Sequence, residues 1–213
     1  MKSYRKYEIA AGILFLLAMA SYMAGSELVA SSFATGAYSN QLKIGVFLEF
    51  VNSAAVVGIA ALLFPIVQKH SEWASLVYVA SRIIESVLLL ISSACALFPL
   101  FIPETTAVTR ESFLVFREIS FQLAMIFLGA GSILLCWILL ANRLIPRALS
   151  ILGIIGYIAL FLSGWAELYG LSGLGLILFV PGALFELILP VWLFAKGFTE
   201  LDFTVKLIDR STK

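Results

Sequence analysis

SLVYVASRIIESVLLLIS, residues 75–92, is an apolar run of the kind that crosses a bilayer, yet Arg82 and Glu85 stand at its middle. A hydrocarbon core of about 30 Å takes about 20 apolar residues of helix. A charge at its centre costs roughly 2.5–3.5 kcal/mol on insertion scales, so such residues mark functional sites by default. The run therefore sets both the fold class, a membrane helix bundle, and the place to look for chemistry.

Working outward, the whole chain reads the same way. It has 213 residues, is 62% hydrophobic and only 13% charged, and has mean hydropathy +1.04. Soluble domains are typically about 45–50% apolar and about 25% charged. The pattern predicts an all-α, single-domain bundle with transmembrane helices over 7–30, 41–67, 74–101, 114–141, 148–170 and 175–198. Polar, glycine-rich or proline-marked stretches separate them, among them 31–40, 68–73, 103–112, 142–147 and 170–175. The basic start Met1-Lys2-Ser3-Tyr4-Arg5-Lys6 resembles a signal peptide, but the run after it is long enough to span, and an uncleaved first helix is expected.

Orientation follows from lysine and arginine in the short loops. Lys2, Arg5, Lys6, Lys69, Arg143, Arg147, Lys196, Lys206, Arg210 and Lys213 collect on one side, against Lys43 and Arg110 on the other. Both termini are expected in the cytoplasm.

Polar residues recur at helical spacing. Ser75, Tyr78, Arg82, Glu85 and Ser92 share one face of the third helix, where Arg82 and Glu85, at i and i+3, can touch. Glu49, Asn52 and Ser53 share a face, as do Glu118 and Gln122, and Gly156, Ser163 and Glu167. Glu186 lies one turn after Gly182 and between Pro181 and Pro190, which deprive the helix of two amide donors. At about 1.5 Å rise per residue, Glu85 and Glu186 fall near the midplane and Glu49 and Glu118 in the outer half. The candidate ligand-binding set is Glu49, Asn52, Arg82, Glu85, Glu118, Gln122 and Glu186.

Charge counting sharpens this. Glu27, Glu49, Glu85, Glu118, Glu167 and Glu186 face only Arg82 and Arg117, and burying the excess acid unpaired is very costly. Some glutamates must be protonated, reach water or meet a cation. Glu27 and Glu167 are expected to reach water, Arg117 and Glu118 to form a solvated helix edge, and Glu186 to titrate or contact a ligand. The alternative is structural: polar groups between membrane helices act as glue worth about 0.6–2 kcal/mol each.

Some chemistries have no residues to carry them. His70 is the only histidine and sits in a loop beside Lys69, which leaves no bis-histidine haem site, histidine-rich zinc site, Glu-x-x-His pattern or Ser-His-Asp triad. No metal site or cofactor is expected; a metal here would need oxygen ligands. Gly129-Ala-Gly131-Ser132 reads as close helix packing rather than a nucleotide loop. A net charge of +1 gives no footprint for nucleic acid. Cys95 and Cys136 fall at opposite depths and read as buried small hydrophobes. Trp73, Trp165 and Trp192 read as interface anchors, and Trp137 as lipid-facing or packed.

Four strings in order, Asn52…Val57-Gly58-Ile59…Leu63-Phe64-Pro65, Arg82-Ile-Ile-Glu85, Ile145-Pro146-Arg147-Ala-Leu149-Ser150…Leu152-Gly153 and Pro181…Glu186…Trp192…Lys196-Gly197-Phe198, resemble a bacterial six-helix membrane family known as a domain of unknown function. The resemblance covers about the whole chain. It implies a multi-pass protein of the bacterial cytoplasmic membrane, with Arg82, Glu85 and Glu186 at motif positions, and supplies no reaction.

The functional expectation is binding or transport of a small cationic, amphiphilic or proton-coupled ligand in an acidic, outward-facing pocket within the bilayer. One alternative is a structural subunit whose Arg82 pairs with a membrane-protein partner. The other is an intramembrane enzyme acting on a lipid through glutamate acid–base chemistry.

Overall fold

The computed structural model describes residues 4–36, 40–101, 107–171 and 175–199. They form α1 (Arg5–Thr35), α2 (Asn40–Val67), α3 (Glu72–Cys95), the short α4 (Phe98–Phe101), α5 (Ala107–Ala141), α6 (Arg147–Leu168) and α7 (Gly175–Ala195). All but α4 contain a stretch long and apolar enough to cross a membrane, which gives six spans. This is a multi-pass membrane protein, and no strand occurs among the described residues.

The third helix stops at Cys95 rather than running to 101. Amides of Ala96 and Leu97 turn back onto the carbonyls of Ser93 and Ala94, and α4 follows as a separate turn. Phe98 of α4 stacks on Phe113 of α5, ring centroids 3.9 Å apart. α5 begins at 107 rather than 114, so Arg117 lies well inside a helix and not at its solvated edge.

The six spans close into a ring. Each packs on its neighbours in chain order, α1 on α2, α2 on α3, α3 on α5, α5 on α6 and α6 on α7, and α7 returns to α1. Small residues set the closest crossings, as in other membrane bundles. A methyl added to Gly25 of α1 would lie 2.8 Å from the Gly45 carbonyl oxygen of α2, and one on Gly156 of α6 would lie 2.7 Å from the Gly182 backbone of α7. Gly129 faces Tyr157 and Phe161 of α6, and Gly131 faces Ser81 of α3, the packing role expected for that segment.

Both described ends of the chain meet at one end of the ring, here the terminal end; the opposite end is the distal end. Arg5 donates from Nη1 to the Leu193 carbonyl at 2.6 Å and from Nη2 to the Phe194 carbonyl. These carbonyls, left without intrahelical donors at the C-terminus of α7, attract a cation. Glu8, buried, accepts the Phe198 amide at 3.1 Å, and the Thr199 amide donates to the Leu144 carbonyl at 2.8 Å. Lys69 sits 3.9 Å above the Tyr4 ring. Of the basic cluster read from the sequence, Arg5, Lys6, Lys69, Arg143, Arg147 and Lys196 lie at this end, while Lys2, Lys206, Arg210 and Lys213 fall outside the described residues. Outward faces are apolar: Ile13, Phe47, Val87, Trp137, Ile155 and Val191 are all exposed, as lipid-facing residues are.

Candidate functional site

The ring encloses a central cavity of ≈ 360 Å³, to which every spanning helix contributes a wall. Most of that wall is apolar, from Phe15, Val56, Leu89, Met125, Leu160 and others. Of the polar exceptions, Arg82 and Glu85 of α3, Tyr157 of α6 and Glu186 of α7 lie towards the terminal end, and Tyr22 of α1 and Asn52 of α2 towards the distal end.

Arg82 and Glu85 are almost fully buried, with Nη1 2.8 Å from Oε2. The pair is close but not aligned for a hydrogen bond, and the Arg82 Nε donor has no partner. The i, i+3 spacing brings them together, and α3 turns its polar face, Ser75, Tyr78, Arg82, Glu85 and Ser92, into the ring. Arg82 therefore pairs within its own chain rather than on a surface open to another protein.

Glu186 accepts a hydrogen bond from the Tyr157 hydroxyl at 3.0 Å. No lysine or arginine among the described residues forms an ion pair with it; the pairs present are Arg5–Glu8, Arg82–Glu85 and Arg117–Glu49. Pro190 also removes the amide that the Glu186 backbone carbonyl would otherwise accept from. With one arginine and two glutamates, the cavity floor carries one formal negative charge in excess.

Nearer the distal end lies a second, smaller cavity of ≈ 90 Å³. Arg117 of α5 binds Glu49 of α2 through both oxygens, Nη1 to Oε2 at 2.9 Å and Nη2 to Oε1 at 2.5 Å. Ser93 donates to Glu49 Oε2 at 2.6 Å, Arg117 also donates to the Ser92 carbonyl at 3.1 Å, and Ser92 Oγ donates to the Arg117 carbonyl at 2.9 Å. The acid that the sequence presents as free at Glu49 is neutralised here.

Tyr22, Asn52, Leu89 and Phe121 line both cavities and form the layer between them. Tyr22 and Phe121 stack at 5.6 Å with planes 4° apart, and Phe121 stacks further on Phe179.

The sequence-read set thus divides. Asn52, Arg82, Glu85 and Glu186 converge on the central cavity; Glu49, Asn52 and Glu118 line the distal one. Gln122 lines neither: it is buried and donates to Glu118 Oε1 at 2.5 Å. Glu27 and Glu118 are exposed and Glu167 partly so, whereas Arg117, expected at a solvated edge, is largely buried against Glu49. Tyr157, Tyr22, Ser93 and Glu8 are further participants that charge counting passes over. A tyrosine in an apolar span, whose hydroxyl needs a partner, is the one signal that pointed to Tyr157. Among the described residues, no group of three or more His, Cys, Asp or Glu side chains is placed to hold a metal ion.

A family model described as a domain of unknown function (DUF4386) matches residues 10–197. No curated protein and no solved structure matches the chain.

Proposed function

The chain belongs to this DUF4386 family, and for it we propose a binding or transport protein whose ligand is a small amphiphile with a cationic head. The head occupies the floor of the central cavity against Glu186, and the apolar body fills the space above. The observation that carries this reading is Glu186 itself, a carboxyl group on the wall of a largely apolar cavity that accepts from a tyrosine hydroxyl and forms no ion pair among the described residues. Arg82 holds Glu85, so the excess charge is left to Glu186. A bound amine would balance it, and burial in a largely apolar chamber would strengthen the pairing. The cavity volume lies within the range of about 300–1,000 Å³ usual for small-molecule pockets.

We place the protein in the bacterial cytoplasmic membrane with its terminal end in the cytoplasm, following the basic residues at that end. Native mass spectrometry of protein released gently from its membrane tests the reading, wild type beside Glu186→Gln. The expected result is a discrete bound mass in the wild type that the variant lacks. An identical bound mass in both proteins would overturn the assignment of Glu186.

A further inference from the structure

The central cavity offers two routes to the outside, and they differ in how they are closed. The distal route passes the Tyr22–Phe121 stack and then the two-oxygen Glu49–Arg117 pair, which Ser93 reinforces. Opening it would separate a buried ion pair and leave each charge without its partner.

The other route lies between α1 and α7. Direct contacts between these helices hold the terminal end: Arg5 on the Leu193 and Phe194 carbonyls, Glu8 on the Phe198 amide, and Gly12 against the Phe194 ring. Further towards the distal end, their facing residues line the cavity instead, Met19 and Met23 on α1 and Phe179 and Ala183 on α7. Met23 lines the cavity and is also 60% exposed, so a single side chain separates cavity from surface here. Methionine, unbranched and adaptable, suits a passage that must let chains of different shape slide through.

The floor adds a second requirement. Arg82, a lining residue, has a buried Nε donor without an acceptor, and its neighbour Glu85 has an Oε2 without a hydrogen-bond donor, an arrangement costly to leave unmade. Tyr157 donates to Oε1 of Glu186, and Oε2 can accept from a further donor. One head group meets both needs if it carries an amine with an oxygen acceptor beside it. At ≈ 360 Å³ the cavity is near the small end of ligand pockets and admits one alkyl chain rather than a two-chain lipid.

Resting on the binding reading above, we propose that the ligand is a single-chain amino-alcohol amphiphile that enters sideways from the bilayer between α1 and α7. Its ammonium lies on Glu186, its oxygen accepts from Arg82 Nε, and its chain extends past Met19 and Ala183 towards Met23 and Phe179.

The test uses the full chain in phospholipid vesicles with 2-aminododecanol bearing a diazirine at the far end of its chain. After illumination, the labelled residues are mapped by peptide mass spectrometry in wild type and Glu186→Gln, with folding of both checked by size exclusion. Label on Met19, Met23, Phe179 or Ala183 that is lost in Glu186→Gln supports the proposal. Label that depends on Glu186 but falls on Val56, Leu89 or Leu128 overturns the sideways route and keeps the binding reading. Label independent of Glu186, or none, overturns both. Met23→Trp, a bulkier side chain at the exposed rim, supplies a second measurement: uptake from vesicles slows about tenfold. An unchanged uptake rate would overturn the route whatever the labelling shows.

Discussion

Arg117 of α5 grips Glu49 of α2 through both carboxylate oxygens, at 2.9 and 2.5 Å, across 68 residues of sequence. The pair ties two helices that are not ring neighbours and so braces the ring across its distal end. It also accounts for a buried glutamate that would otherwise need a ligand or a proton.

Breaking this pair from one side should be worse than removing it whole. Arg117→Met leaves Glu49 buried without its cation, and removing one partner of a buried pair costs about 3–5 kcal/mol. The lower end is expected, because Arg117 keeps 17% of its side-chain surface. Arg117→Met combined with Glu49→Leu should recover much of the loss. Thermal unfolding of the three variants in one detergent measures this; equal melting of single and double variants would mean that the pair does not brace the bundle.

Tyr157→Phe removes the one hydrogen bond to the Glu186 side chain seen among the described residues. A neutral partner contributes about 0.5–1.5 kcal/mol, and hydrogen bonds to charged groups about 1.5–3. The fold should survive with a modest drop in melting temperature, while affinity for an alkylamine falls about tenfold, which is about 1.4 kcal/mol. Titration by tryptophan fluorescence reads the affinity. An unaltered affinity would show that Glu186 needs no help in holding its position.

Two glycines at one crossing should respond differently to the same change. A methyl on Gly156 meets the Gly182 backbone at 2.7 Å, whereas one on Gly182 has nothing nearer than the Gly156 carbonyl oxygen at 3.5 Å. Gly156→Ala must push α7 outward, at a cost of about 1–3 kcal/mol for overpacking. Gly182→Ala should be tolerated. Because Glu186 lies one turn along α7, Gly156→Ala should also weaken ligand binding. Comparable melting of the two alanine variants would contradict the crossing geometry.

The clasp at the terminal end should govern the α1–α7 seam. Arg5→Ala frees the Leu193 and Phe194 carbonyls and removes the cation beside Glu8, for a loss of about 1–2 kcal/mol given the part-exposed arginine. Hydrogen exchange in peptides covering 190–199 should speed up, while peptides in α3 stay protected. Exchange that rises equally throughout would indicate global loosening instead of a local clasp.

By itself the sequence determined the spans and the local pairs. In lipid each span must satisfy its own backbone hydrogen bonds, so a long apolar run can only be a helix, and six such runs mean six spans. Arg82 and Glu85 were legible as a pair because i, i+3 neighbours meet on any helix, and the inward face of α3 followed from its polar period. Helix ends were less clear: α3 turns at Ala96, and the α4 that follows stacks Phe98 on Phe113 of α5, a contact between helices that a single span's pattern does not carry. Only the tertiary structure decided which charges are spent. That Glu49 belongs to Arg117, that Tyr157 reaches Glu186 and that Gln122 serves Glu118 depend on which helices lie side by side and how they are rotated. Closure of α7 onto α1 made the ring and its cavity, and that closure rests on Arg5, Glu8 and Gly12 meeting residues 193–198. Periodicity fixes what a helix presents on each face; it carries no information about the distant segment that the face will meet.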